Sequence, residues 1–266
     1  MPHSPFVKRN AVKCKYPMKT VLKPIYRSCL FMAFLVVPVI AGTGKSANAS
    51  TAFPLVKTTI NTVNTAVAGK TVTLYEAMKL KRYGLNKAAF DYAFKGYLYL
   101  LSKRKLGRNA VLSICDFSLS SRRKRMFIID LEHQKLLINT YVAHGRSSGS
   151  EYARTFSNSP ESHMSSLGFY VTKNTYYGDH GLALKIEGME KGFNDNASGR
   201  NIVVHGSEYV GPDYLRYNRI NGRSFGCPAV PTEQTSKVIN TIKNGSCLFI
   251  YYPTQKYLTK SKILNE

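Results

Sequence analysis

The chain has 266 residues, of which 44% are hydrophobic and 20% charged. That balance supports a buried core and excludes a disordered polymer. Thirty-eight Lys and Arg stand against 15 Asp and Glu, a formal net charge of +23, which draws a protein toward polyanions such as wall polymers, anionic lipid or nucleic acid. No finger, basic zipper or RNA-recognition signature accompanies the charge, so nucleic acid is set aside as a partner.

Residues 1–49 carry eight basic side chains and no acidic one. A mostly apolar run from Cys29 to Gly42 follows the basic start, and then Ala47-Asn48-Ala49, the small-x-small pattern of a signal-peptidase site. The segment 1–49 reads as a secretory signal peptide. Its apolar run is shorter than the roughly 20 residues of a membrane span, and Pro38 interrupts it; an uncleaved anchor is the alternative. The expectation is an exported protein of the periplasm or cell envelope that meets the membrane only through this signal. Without residues 1–49 the chain keeps 30 basic and 15 acidic residues and three of its five cysteines, Cys115, Cys227 and Cys247. An odd number in an oxidising compartment leaves one thiol for chemistry. Cys115 and Cys247 sit in strand-like runs and read as buried cysteines rather than a bridge.

Residues 50–72, rich in Thr, Ala and Asn, read as a linker. Thr73 and Glu76 have the spacing of a capping box, predicting a helix from Thr73 that stops at Gly84. Asn86 is placed to cap a second helix with Phe90, Phe94, Tyr97, Leu98 and Leu101 on one face, ending at Gly107. Residues 73–107 thus form a helical lead-in. From Ala110 the period changes to short runs of β-branched and aliphatic residues at Val111–Phe117, Met126–Leu131, Lys135–Ala143, Gly168–Thr172, Leu182–Ile186, Asn201–Val204 and Cys247–Tyr252. These predict strands of a mainly β, mostly antiparallel domain with flanking helices. One late helix is predicted over Thr232–Ile242, and 254–266 reads as a C-terminal tail.

Two segments carry chemistry. Asn201-Ile202-Val203-Val204-His205-Gly206-Ser207 is an apolar strand that ends in His-Gly, and Gly222-Arg223-Ser224-Phe225-Gly226-Cys227-Pro228-Ala229-Val230 sets a cysteine in a turn ahead of the late helix. A thiol becomes a nucleophile when an imidazole takes its proton or stabilises its thiolate. Gly226 permits a tight turn that aims amide N–H groups at a developing oxyanion. Taken singly, a strand-end His or a lone Cys is more often structural.

The order His-Gly, spacer, Ser-x-Gly-Cys resembles the signature of murein L,D-transpeptidases, the YkuD-type domains. Tyr141-Val142-Ala143-His144-Gly145 and Ser165-Ser166-Leu167-Gly168-Phe169-Tyr170 resemble the family's upstream strand and Thr-Pro-x-Gly-x-Phe segment, so the likeness spans about 110–253. The resemblance implies a β-sandwich or barrel domain over 108–253, with Cys227 as nucleophile and His205 as base. It further implies a carbonyl of Gly206 or Ser207 orienting the imidazole and the N–H groups of Gly226 and Cys227 receiving the oxyanion. Arg223, Ser224 and Phe225 are the substrate-binding candidates, with Ser224 also bracing the loop and Arg223 either holding a substrate carboxylate or, as a surface arginine, bracing the same loop. The implied substrate is a peptidoglycan stem peptide, and the acyl acceptor an amine, water or a protein lysine. Two departures stand out. Phe225 replaces the His that commonly precedes Gly-Cys, and the 18 residues between His205 and Ser224 exceed the usual spacer.

Several rivals fit less well. A sortase also places His before Cys but needs an Arg after the Cys, and none follows Arg223. Papain-like and NlpC-type peptidases have the reverse order. His144, His133, His163 and His180 read as structural or loop residues. No His-Glu-x-x-His or Cys-x-x-Cys offers metal ligands, so neither metal nor cofactor is expected. The remaining alternative is a non-catalytic, basic wall-binding module with a degenerate site.

Overall fold

A computed structural model of the chain describes Gly69 and residues 71–266. The signal peptide at 1–49 and nearly all of the linker at 50–72 lie outside the described residues. Eight strands form one sheet: β1 (Val111–Asp116), β2 (Met126–Asp130), β3 (Lys135–Thr140), β4 (Gly168–Gly178), β5 (Gly181–Gly188), β6 (Val203–Ser207), β7 (Ala229–Pro231) and β8 (Cys247–Tyr251). Their spatial order is β3-β2-β1-β8-β4-β5-β6-β7. Two bridges, Ala143 to Ala229 and Gly145 to Ser224, join the chain leaving β3 to the β7 end. The sheet is therefore a nearly closed barrel with little exposed edge.

Five of the seven strand pairings are antiparallel, and β1–β8 and β6–β7 are parallel. β1 and β8 are buried along their whole length, which is why neither shows a polar-out alternation. Phe169 of β4 stacks on Phe249 of β8 with centroids 4.1 Å apart; each such ring contributes roughly 1.5–3 kcal/mol by leaving water. Cys115 and Cys247 are buried free thiols.

Helical residues at 71–77 (α1) precede a 3-10 turn at Leu80–Tyr83. Thr73 does not cap this helix. Its hydroxyl donates to the Gly69 carbonyl one turn back at 3.0 Å, the back-bond that Ser and Thr make inside helices. Gly84, at φ +85, ends the segment with its N–H on the Leu80 and Lys81 carbonyls. The second helix, α2 (Lys87–Ser102), is capped by Asn86, whose side chain accepts from the Ala88 N–H at 2.9 Å. It ends at Ser102, five residues before Gly107. Its buried face is Ala89, Phe90, Ala93, Phe94, Gly96, Tyr97 and Leu100, whereas Leu101 is exposed. A Cβ on Gly96 would sit 2.0 Å from the Phe169 ring, so this glycine lets α2 lie directly on the sheet.

Three features depart from the sequence reading. A short helix, α3 (Pro212–Tyr217), occupies the loop after β6. The late helix splits into a 3-10 turn at Thr232–Gln234 and α4 (Thr235–Ile242), which buries Thr235, Val238, Ile239 and Ile242. The stretch read as a tail forms α5 (Gln255–Lys260) and α6 (Lys262–Asn265), with Tyr257, Ile263 and Leu264 buried. Both are moored to Glu190: its carboxylate accepts from Tyr257 Oη at 2.8 Å, from Ser261 Oγ and from the Phe169 N–H.

Candidate active site

β6 is flanked by β5 and β7, and His205 pairs with Ala183 on one side and Ala229 on the other. A side chain carried there is held by backbone ladders on both sides. Gly206 follows, where a Cβ would lie 2.1 Å from Thr235 Oγ1, so only glycine lets the strand pass beneath α4. The Gly206 carbonyl accepts from His205 Nδ1 at 2.9 Å. A carbonyl only accepts, so the proton of the neutral ring sits on Nδ1 and Nε2 keeps its lone pair. Burial, and secondarily the imidazole of His180, lower the pKa of His205 below its ordinary value, partly opposed by the Gly206 carbonyl.

Cys227 lies in the loop just before β7. His205 and Cys227 line the same cavity, of about 500 Å³, with Arg200, Asn201, Tyr209, Arg223, Phe225 and the His180 end of the β4–β5 hairpin. No hydrogen bond joins the two. Cys227 Sγ instead accepts from the Val203 N–H at 3.5 Å and donates toward the Asn201 carbonyl at 3.6 Å. Burial pushes the thiol up, against the lowering pull of the Val203 N–H and Arg200. Both shifts favour the uncharged members, a neutral thiol and a neutral imidazole, over a thiolate–imidazolium pair.

The loop around Cys227 is tied by Ser224, which is almost fully buried. Its hydroxyl donates to the Cys227 carbonyl at 2.6 Å and accepts from the Gly226 N–H at 3.1 Å. The Gly226 N–H is thus engaged inside the loop, and of the two amides expected at an oxyanion only that of Cys227 escapes Ser224. Gly226 has φ +124, and a Cβ there would meet the Met164 carbonyl at 2.8 Å. Arg223 donates to the Gly149 carbonyl at 3.1 Å and the Arg146 carbonyl at 3.4 Å. Phe225 is 63% exposed. One of its neighbours is the His163 ring at 4.6 Å and another the Arg146 guanidinium at 4.5 Å, and Arg146 itself contacts His163 Nδ1 at 3.0 Å. The position that commonly carries a histidine therefore borders one donated by a different loop. Ser207, at the end of β6, accepts from the Tyr209 N–H at 3.4 Å and pairs with Pro231.

Sequence reading missed two residues of this cavity. His180 stacks on His205, centroids 4.7 Å apart and planes 21° from parallel; its place in a hairpin before Gly181 made it look like a turn. Arg200 pins the 157–166 loop through the carbonyls of Ser157 (3.0 Å) and Met164 (2.7 Å) and through Ser162 and Ser166. It has no carboxylate partner among the described residues, and no local pattern marks it. His144 is buried away from the cavity. Arg125 donates to its Nδ1 at 2.6 Å and its Nε2 reaches the Gly149 carbonyl at 3.2 Å. Burial, then Arg125, lower its pKa to about 3. Among the described residues no group of His, Cys, Asp and Glu is arranged to hold a metal ion.

A sequence model of the L,D-transpeptidase catalytic domain matches residues 81–251. No curated protein matches the chain. Among solved structures, an L,D-transpeptidase from Mycobacterium smegmatis is similar at 11% identity and TM-score 0.34, covering 54% of this chain and 59% of its own. One from Xylanimonas cellulosilytica is similar at 15% identity and TM-score 0.31, covering 63% and 81%. The helical cell shape determining protein Pgp2 of Campylobacter jejuni is similar at 14% identity and TM-score 0.31, covering 60% and 56%. The chain thus spans under two thirds of the length of the mycobacterial protein.

Proposed function

Because the chain belongs to the L,D-transpeptidase catalytic-domain family, we propose that it is a cysteine acyltransferase of peptidoglycan stem peptides, with Cys227 as nucleophile and His205 as base. The observation that carries this reading is the shared cavity, into which both residues open while Nδ1 of His205 is fixed on the Gly206 carbonyl. Nε2 is thereby left as the acceptor.

The thiol proton first turns from the Asn201 carbonyl to His205 Nε2. Sγ then attacks the carbonyl carbon of the third residue of a tetrapeptide stem, and a carbon–sulfur bond forms as the carbonyl π pair moves onto oxygen. The Cys227 N–H is the donor for that oxyanion, a contribution of a few kcal/mol when such a donor is well placed. Collapse breaks the carbon–nitrogen bond, and His205 returns the proton to the departing D-alanine amine. An acceptor amine next attacks the thioester, its surplus proton passes through His205, and Cys227 leaves as the thiol. An amine of a second stem gives a 3–3 cross-link, water gives an L,D-carboxypeptidase, and a protein lysine gives an anchoring enzyme. Arg223 and Phe225 border the donor on the cavity side, with Ser224 holding their loop. The reading of residues 1–49 as a secretory signal supports chemistry outside the cell, in the periplasm or envelope; among the described residues no helix is long and apolar enough to cross a membrane.

The test is intact-mass spectrometry during incubation with purified disaccharide-tetrapeptide. The wild type is expected to carry the acyl mass on the Cys227 peptide, with 3–3 dimers or trimmed tripeptide as product. Cys227→Ala should yield neither. Unchanged turnover in Cys227→Ala ends the assignment. A wild type that binds sacculi without acylation returns the chain to the alternative reading, a wall-binding module.

A further inference from the structure

Away from the thiol, a second cavity of about 610 Å³ opens between the end of α2, the β5–β6 loop, α5 and α6. Five lysines border it: Lys103, Lys105, Lys191, Lys260 and Lys262. None takes part in an ion pair among the described residues, and Lys103 instead lies over the Tyr99 ring at 5.2 Å. The one acidic residue in the lining is Glu190. It is buried, its oxygens accept from Phe169, Tyr257 and Ser261, and the lysines outnumber it five to one. Helix-end electrostatics favours a cation at the C-terminal ends of α2 and α5, which accounts for Lys103 and Lys260 but not for Lys105 or Lys191, which lie outside the helices. Five like charges gathered from separate elements repel one another unless an anion joins them.

We propose that this cavity binds a phosphodiester chain whose phosphates are joined by short aliphatic links. Ammonium groups are compact point charges suited to phosphate, whereas carboxylates call for the guanidinium fork, and no arginine lines the cavity. Leu100, Met189, Phe193 and Ile263 form an apolar floor for the linking carbons. The aromatic faces needed to stack nucleobases are engaged: Tyr99 is covered by Lys103 and donates to Glu266 at 2.8 Å, and Phe193 meets Tyr257 edge-on at 87°. The concave shape suits a strand of polymer better than a flat bilayer. This cavity shares no lining residue with the one that holds Cys227 and His205.

Calorimetry of the full chain against a synthetic glycerol phosphate hexamer tests it. Lys103→Gln, Lys191→Gln and Lys262→Gln combined should weaken binding about a hundredfold. Lys124→Gln, Lys135→Gln and Lys237→Gln combined remove the same charge from exposed sites elsewhere and should leave binding within about threefold. Thermal melting checks folding, and if the triple site variant melts early, Lys191→Gln and Lys262→Gln singly should each weaken binding about fivefold. Equal weakening in the two triple variants overturns the proposal, because net charge then suffices. It is equally overturned if the hexamer fails to bind while anionic phospholipid vesicles or an oligonucleotide of matched charge do.

Discussion

The imidazole of His180 lies nearly parallel to that of His205, with ring centroids 4.7 Å apart. His180 comes from the β4–β5 connection and His205 from the middle of β6, so the hairpin end covers one face of the proposed base. Burial lowers the pKa of His205 first, and the neighbouring imidazole adds to the effect.

The acid limb of kcat/KM should therefore respond to His180. His205 acts as base only when neutral, so activity is lost as pH falls through its pKa. His180→Phe keeps a ring over His205 and removes a cause of the lowering, so the limb should move to higher pH. A pH–rate profile for the two proteins checks this, and an unmoved or downward-moved limb contradicts it.

The three described cysteines should separate cleanly in reactivity. Burial pushes Cys115 up to about 12 and Cys247 further still, while Cys227 alone opens into a cavity. Iodoacetamide at pH 8 should label only Cys227 of these three in the folded protein and all three in denaturant. Its rate on Cys227 should be below that of free cysteine, because the thiolate is the reactive form and burial suppresses it. Peptide mapping with a time course decides.

Acid sensitivity of the fold should centre on His144. Its pKa falls from 6.5 to about 3 on folding, so below pH 6.5 the unfolded chain binds a proton that the folded one does not. Stability is then lost as pH falls from about 6.5 toward 3, by at most about 4 kcal/mol from this ring. Asp116 and Glu190, whose carboxyls burial pushes up, act in the opposite sense, so the comparison must be with a variant. His144→Gln keeps an acceptor for Arg125 and should show a flatter fall of Tm between pH 7 and 4. Parallel curves would assign the effect elsewhere.

Gly226→Ala should injure the site more than the fold. The residue has φ +124, and its new Cβ would press on the Met164 carbonyl, Ile202 and Arg200. Strain of about 1–3 kcal/mol falls on the loop that carries Cys227. A drop in kcat/KM of about tenfold to a hundredfold, with Tm little changed, is the expected outcome of steady-state assays and melting.

What the sequence disclosed follows physical range. Strands such as Val111–Asp116 and Met126–Asp130 were legible because each is a run of β-branched and aliphatic residues bounded by polar turns. The α2 cap was legible because Asn86 acts on an amide two residues away. β7 was not, since three residues beside a proline carry no periodicity and pair only because β6 lies alongside. The C-terminal helices looked like a tail because what holds them, Glu190, is 71 residues from Ser261 in the chain. His205 and Cys227 stood out through motif order, and both open on one cavity. Arg200 and His180 reach that cavity through tertiary contacts with no local trace.

The hydrogen bond from Cys227 toward Asn201 gives the sulfur a second consequence. A sulfur that waits protonated reacts sluggishly with peroxide and with passing disulfides, since the anion is the species those reagents consume. Ionisation only on engagement would let such a residue persist where oxidants circulate, with no neighbouring thiol needed to rescue it from sulfenic acid.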